Sequence, residues 1–183
     1  TGKKIGAFGL TEPNAGSDAG NTQTTAILDG DNFIINGQKA FCTNAGVADT
    51  IIITAKLIEN NEEKGISAFI VESNTQGLTV GKPEKKMGWR GSDTRSVFFD
   101  NMIIPKENVL GSPSKGFQQF LNTLVGGRIT IGALSLGNAQ GAYQLALNYS
   151  KEREAFGKSI NRFQGVSFKL ADMATSIEAA KHL

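Results

Sequence analysis

The sequence predicts an α+β chain. An antiparallel β-barrel or sandwich over residues 1–111 is followed by the start of an α-helical bundle over residues 112–183. Two observations carry this. Short β-prone runs recur between Asp-Gly and Asn-Gly pairs in the first part, and such pairs are strong hairpin signals. The apolar spacing then changes to a helical period beyond Val109-Leu110-Gly111-Ser112-Pro113-Ser114.

The β part opens with an apolar run, Ile5 to Leu10. Thr24 to Leu28, Asn32 to Ile35 and Gln38 to Thr43 are separated by Asp29-Gly30 and Asn36-Gly37, which reads as a three-strand meander. Thr50 to Leu57 is Ile-rich and reads as a buried strand, and Asn60 to Gly65 as a polar hairpin loop. Ile66 to Val71, Leu78 to Pro83, Ser96 to Asp100 and Met102 to Pro105 bring the total to about eight short strands, a barrel or sandwich pattern.

In the helical part Phe117, Phe120, Leu121, Leu124 and Val125 share one face, continued by Ile131, Leu134, Ala142, Leu145 and Tyr149. Gly126, Gly127, Gly132, Gly137 and Gly141 interrupt it, each at about 1 kcal/mol against Ala, which predicts close helix contacts, a nearby ligand or a broken helix. A loop is expected over Arg153–Ser159. Asn161 reads as the N-cap of a second helix with Gln164 at its third position. Two helices cannot close a bundle core. They must pack on the β domain, pair with another chain, or await further helices.

Composition excludes several classes. The 183 residues are 39% hydrophobic and 20% charged, a globular balance. The net charge of +2, without a long basic block, asks for no nucleic acid, and no apolar run approaches a membrane span. Cys42 and His182 are each the single residue of their type, which excludes an intrachain disulfide and disfavours a zinc site or a Ser–His–Asp triad.

The stretch Phe8-Gly9-Leu10-Thr11-Glu12-Pro13-Asn14-Ala15-Gly16-Ser17-Asp18 stands apart. An apolar strand gives way to small polar residues. Pro13 fixes one φ, and Asn14 and Gly16 tolerate φ > 0. Such a loop offers backbone N–H groups and the Thr11 and Ser17 hydroxyls to a planar, acceptor-rich ligand or a phosphate. A solvated turn is the plainer reading.

The order of motifs resembles the acyl-CoA dehydrogenase family. The resemblance runs from the Phe8–Asp18 stretch through Gly37-Gln38-Lys39-Ala40-Phe41-Cys42-Thr43-Asn44 and Met87-Gly88-Trp89-Arg90-Gly91-Ser92-Asp93-Thr94-Arg95. It continues through Ile104–Gly111, Arg153 with Ala155-Phe156-Gly157, Gln164, and Leu170–Ala174. The family is roughly twice this length, so the resemblance implies a middle β domain plus the first helices of a C-terminal bundle.

The resemblance also implies FAD, a fatty acyl-CoA thioester and α,β-dehydrogenation to the trans-2-enoyl-CoA, as in fatty acid β-oxidation. Hydride goes to flavin N5 and the electrons pass to an electron-transfer flavoprotein. It implies a homotetramer or homodimer, in a bacterial cytoplasm or a mitochondrial matrix. Phe8, Leu10, Thr11, Gly16 and Ser17 would line the flavin, with Ser17 also meeting the CoA side. Phe41, Cys42 and Thr43 match the second flavin-facing segment. Thr43 matches the hydroxyl that meets N5, and Phe41 stands where many members carry Trp. Arg153, Phe156 and Gln164 match a patch that reaches a neighbouring subunit's FAD, where a guanidinium suits the pyrophosphate. Arg128 matches a substrate-contacting position and, buried on a Gly-rich helix, would need an anionic or carbonyl partner.

No residue matches the family's catalytic base. The alternative position next to Arg128 is Gly127, Glu12 is not used so by the family, and Glu152 and Glu154 belong beside the FAD phosphates. The expectation is that this chain alone is inactive. A non-catalytic FAD/CoA-binding module and an acyl-CoA oxidase remain open as alternatives.

Overall fold

The computed structural model describes residues 2–183. They form two compact units, one running to Leu121 and the other Asn122–Leu183. The first unit is a sheet built from β1 (Gly6–Gly9), β2 (Thr25–Asp29), β3 (Asn32–Thr43), β4 (Thr50–Glu59), β5 (Glu62–Glu72), β6 (Leu78–Pro83) and β7 (Thr94–Pro105).

The sheet is mixed rather than purely antiparallel. β4 pairs with β5 along one edge. Its other edge takes β1 and β2 one after the other, both parallel: Gly6–Gly9 lie against Thr50–Ile53, and Thr25–Ile27 against Lys56–Ile58. β1 and β2 thus act as a single interrupted strand, and residues 10–24 are an excursion from it. β3, β7 and β6 continue the sheet by antiparallel pairing.

Seven strands form in this unit, close to the expected eight, and the runs expected on either side of Asn36-Gly37 and of Asn101 are each one strand. Asn36-Gly37 sits inside β3 and Asp100-Asn101 inside β7, at a register shift between the two. The Asn101 N–H donates to Asn36 Oδ1 at 2.8 Å, which seals the bulge. Gly37 is needed there, at φ 142°, because a Cβ would lie 2.7 Å from Thr24 Cα. The meander therefore has one true hairpin, at Gly30, where φ is 58°. At the β4–β5 hairpin Asn60 and Asn61 both take positive φ, the turn geometry that favours Asn.

The core of this unit lies between strand faces and is built from Phe33, Ile35, Ile51, Ile53, Leu57, Phe69, Val71, Val97, Met102 and Ile104. Phe33 and Phe69 meet edge-to-face at 5.1 Å. Each such side chain contributes about 1.5–3 kcal/mol on burial. The edge of β5 is covered rather than open: Leu110 donates its N–H to the Ala68 carbonyl, and Gly116 sits so close to Ser67 and Ala68 that no side chain fits there.

α1 (Gly116–Glu152) is unbroken, which sets aside the broken helix among the readings its glycines left open. A glycine weakens a helix but keeps its N–H and blocks nothing, unlike proline. Nothing lies within 4 Å of a Cβ built on any of the five. After α1, β8 (Glu154–Ala155) and β9 (Lys158–Ser159) make a small hairpin where a loop was expected. A 3-10 turn at Ile160–Arg162 precedes α2 (Gln164–Lys181). This displaces the expected cap: Asn161 lies in that turn, and Phe163 is the N-cap, with no side-chain cap bond. Apolar residues stay exposed on both helices of the second unit, among them Ile129, Leu145 and Phe168.

Candidate functional site

The excursion of residues 10–24 is polar at its tip and tied down at its base. Glu12 and Ala15 exchange backbone hydrogen bonds at 3.0 and 3.1 Å, closing a turn over Pro13-Asn14. Asn14 and Gly16 are not among the positive-φ residues, so the loop does not use that freedom. Ala15, Thr22 and Thr24 are buried, whereas Gly16, Ser17 and Asp18 are exposed.

The anchor is an ion pair that sequence reading missed. Lys39 of β3 is fully buried, and its Nζ donates to Glu12 Oε1 at 2.7 Å, Thr54 Oγ1 at 3.0 Å and the Leu10 carbonyl at 3.3 Å. Glu12 also accepts the backbone N–H groups of Gln23 at 2.6 Å and Thr24 at 3.1 Å. Burial opposes the charge of Glu12, but the hydrogen bonds from Lys39, Thr24 and Gln23 override it and hold the carboxyl below its usual range.

A register shift between Lys39 and Cys42 explains why alternation misleads here. Strict alternation puts Lys39 on the face of Phe41 and Thr43. The bulge instead buries Lys39 and Cys42 together and turns Phe41 and Thr43 outward. Phe41 takes φ 56°, a strained value for a bulky residue, and is 65% exposed. The adjacent Ala40 N–H donates to the Thr11 carbonyl at 2.7 Å, joining the bulge to the loop. Burial pushes the Cys42 thiol up to about 11, against the pull of the Lys39 ammonium, and keeps its side chain off the surface.

The turn after Thr43 has its own clamp. Asp93 accepts the Gly46 N–H at 2.7 Å and Arg95 Nε–H at 2.8 Å, and its carbonyl accepts the Asn44 N–H at 2.9 Å. In the adjoining loop Met87 and Trp89 are exposed, with Trp89 at φ 51°. Lys86 straps that loop by donating to the Ser92 carbonyl and to Thr94 Oγ1.

The structure therefore brings Leu10, Thr11, Phe41, Cys42 and Thr43 into one neighbourhood, with Gly16 and Ser17 on the anchored loop. Phe8 is half exposed and meets Phe120 edge-to-face at 5.6 Å. Among the described residues, no group of His, Cys, Asp or Glu is placed to hold a metal, and no helix is long and apolar enough to cross a membrane.

The second unit carries the other candidates. Arg128 is exposed on α1, which corrects its expected burial: the helix face it occupies is uncovered. Arg153 and Gln164 are also exposed. Phe156 and Gly157 form the β8–β9 turn at φ 52° and 75°, leaving Phe156 95% exposed with one edge-to-face contact to Phe163 at 6.1 Å. Lys158 Nζ lies 4.3 Å over the Phe163 ring.

Comparison with known proteins identifies the family. The acyl-CoA dehydrogenase middle-domain model matches residues 7–102 and the C-terminal-domain model residues 114–183. The short-chain specific acyl-CoA dehydrogenase of Clostridium acetobutylicum is 51% identical over 182 residues, covering 100% of this chain and 48% of that protein. Subunit CarC of the caffeyl-CoA reductase-Etf complex of Acetobacterium woodii is 48% identical, again over 100% of this chain and 48% of the relative. The butyryl-CoA dehydrogenase structure from Megasphaera elsdenii superposes at TM-score 0.92 with 48% identity, covering 98% of this chain and 47% of that one. An acyl-CoA dehydrogenase complexed with FAD from Bacillus anthracis gives 0.90 and 39%, covering 95% and 30%. The chain belongs to the acyl-CoA dehydrogenase family, a family of oxidoreductases, and spans about half the length of the curated relatives it matches.

Proposed function

We propose that the protein carrying these residues dehydrogenates a fatty acyl-CoA thioester at its α,β bond with FAD as cofactor, and that residues 1–111 and 112–183 are its β domain and the start of its helical domain. The observation that supports this best is the Thr11–Ala40 hydrogen bond, which sets an anchored donor-rich loop beside the outward-turned Phe41 and Thr43. When bound, the FAD supplies the hydride acceptor. The loop amides and the Thr11 hydroxyl would hold the acceptor edge of the ring system, donors that favour its reduced, anionic form. Thr43 presents a hydroxyl donor, Phe41 an aromatic wall, and Ser17 a contact to the CoA side. Arg153, Phe156 and Gln164 would reach the cofactor of a neighbouring subunit, and Arg128 the substrate.

Glu12 is spent on Lys39 and two backbone amides, so it is not the base that removes the α-proton. That base comes from outside these residues, and residues 1–183 alone should not turn over. The electrons are passed to an electron-transfer flavoprotein, in keeping with the relative found in such a complex.

The test is the visible spectrum of the full-length protein and its anaerobic titration with acyl-CoAs of increasing chain length. A flavin spectrum bleached by one of them supports the reading and identifies the substrate. A protein that takes up no FAD refutes it, and a flavin untouched by every acyl-CoA leaves only a binding module.

A further inference from the structure

We propose that Lys39 is a positioning residue, whose one buried ammonium holds the entry and exit of the 10–24 loop at a fixed height against the Phe41 bulge and so sets the FAD-facing surface. The inference rests on the function proposed above.

Its three N–H donors have three acceptors, two on the excursion and one on the sheet: the Leu10 carbonyl at the strand-to-loop junction, Glu12 in the loop, and Thr54 of β4. Glu12 extends the tie to the far end of the loop through the amides of Gln23 and Thr24. Thr54 lies where β4 has no strand partner on that edge, between the residues paired to β1 and to β2. The ammonium therefore fills the gap that the excursion leaves in the sheet.

Packing alone does not explain the pair. Two buried charges are costly to desolvate, and apolar residues of similar volume often serve stability as well or better. What apolar residues lack is direction: they would fill the space without setting where Leu10, Glu12 and Thr24 lie. Lys39 is also two residues from Phe41, and Ala40 between them bonds the Thr11 carbonyl. Anchor and presented surface are thus one short segment. Close packing leaves it no play, since a Cβ on Gly9 would come within 2.9 Å of Lys39 Cγ.

The test compares the full-length protein with Lys39→Met, Glu12→Gln and a control, Ile104→Ala, which truncates a buried residue on β7 away from the loop. Three readouts are taken: hydrogen exchange of the FAD-free protein, the dissociation constant for FAD, and the kcat-against-KM split with acyl-CoA. In Lys39→Met the amides of residues 11–24 should exchange faster while those of β4 and β5 keep their protection. FAD should bind at least about tenfold more weakly, and kcat should fall on the order of 100-fold, the usual result of an ångström-scale misplacement. Ile104→Ala should lower the melting temperature yet keep the wild-type FAD affinity and loop exchange. Wild-type FAD affinity and loop exchange in Lys39→Met overturn the proposal, as does a control that shifts both equally. Should Lys39→Met fail to fold, Glu12→Gln, whose single carbonyl oxygen can still accept the Gln23 and Thr24 amides while its NH2 group cannot accept from Lys39, is read by the same criteria. A wild-type protein that binds no FAD would instead refute the proposed function.

Discussion

The Asp93 carboxylate accepts the Gly46 N–H at 2.7 Å with one oxygen and Arg95 Nε–H at 2.8 Å with the other, so one side chain ties the turn after Thr43 to β7. The hydrogen bond from Arg95 is the main cause that holds Asp93 below the usual carboxylate range, with the Gly46 amide adding to it against partial desolvation. A depressed carboxyl stabilises the fold above its unfolded value of about 3.9, and that contribution is lost as pH falls through the lower folded value. Asp93→Ala should cost about 1–3 kcal/mol at pH 7. It should also flatten the acid limb of stability below about pH 4, measured by urea unfolding across pH. Gly46→Ala should act similarly, because its Cβ would fall 2.3 Å from Arg95 Nε.

Gly37 and Gly30 both have positive φ but differ in surroundings. A Cβ on Gly37 meets Thr24 backbone at 2.7 Å, whereas one on Gly30 meets nothing. Gly30→Ala should cost about 1–2 kcal/mol, the left-handed penalty alone. Gly37→Ala should cost about 3 kcal/mol or more. Thermal unfolding of the two variants side by side checks the order, and equal costs would mean that β2 can move away from β3.

The Cys42 thiol, with its pKa pushed up to about 11 and its side chain buried, should be inert at pH 8. A disulfide reagent should label it only in denaturant. Rapid labelling of the native protein would show that β3 opens locally at its bulge.

Phe156 occupies a turn position that suits Asn. Phe156→Asn relieves about 1–2 kcal/mol of left-handed strain and gives up a Phe163 contact of about 0.5–1.5 kcal/mol, so stability should stay within about 1 kcal/mol of wild type. FAD retention by the full-length protein should nevertheless fall, if the exposed ring is spent on a ligand or partner. Lost stability with unchanged FAD retention would make Phe156 a local packing residue.

The elements legible in the sequence were those set by local chemistry. Gly30 and Asn60-Asn61 turn the chain where their φ preferences place them, and the apolar run of β4 is buried as its Ile-rich composition requires. Asn36-Gly37 misled because the same φ freedom serves a bulge over Thr24 as well as a hairpin, and only the partner strand decides. Lys39 was illegible for a similar reason. A lysine in a strand reads as solvent-facing until the bulge that reverses the alternation is known, and its partner Glu12 lies 27 residues away. The candidate site was readable as a motif. Its anchoring was not, because it depends on the register between β1, β3 and β4.

The interruption between β1 and β2 has a consequence for how such a site can change. On β4 only Thr54 and Ala55 separate the residues that pair with Gly9 and Thr25. The excursion is therefore spliced into the sheet at a seam about two residues wide, as the register requires. Its length and composition can vary without shifting a single strand, provided the ends return to the same ammonium. The recognition surface is in this sense a cassette on a frame, and the frame sees only its clasp.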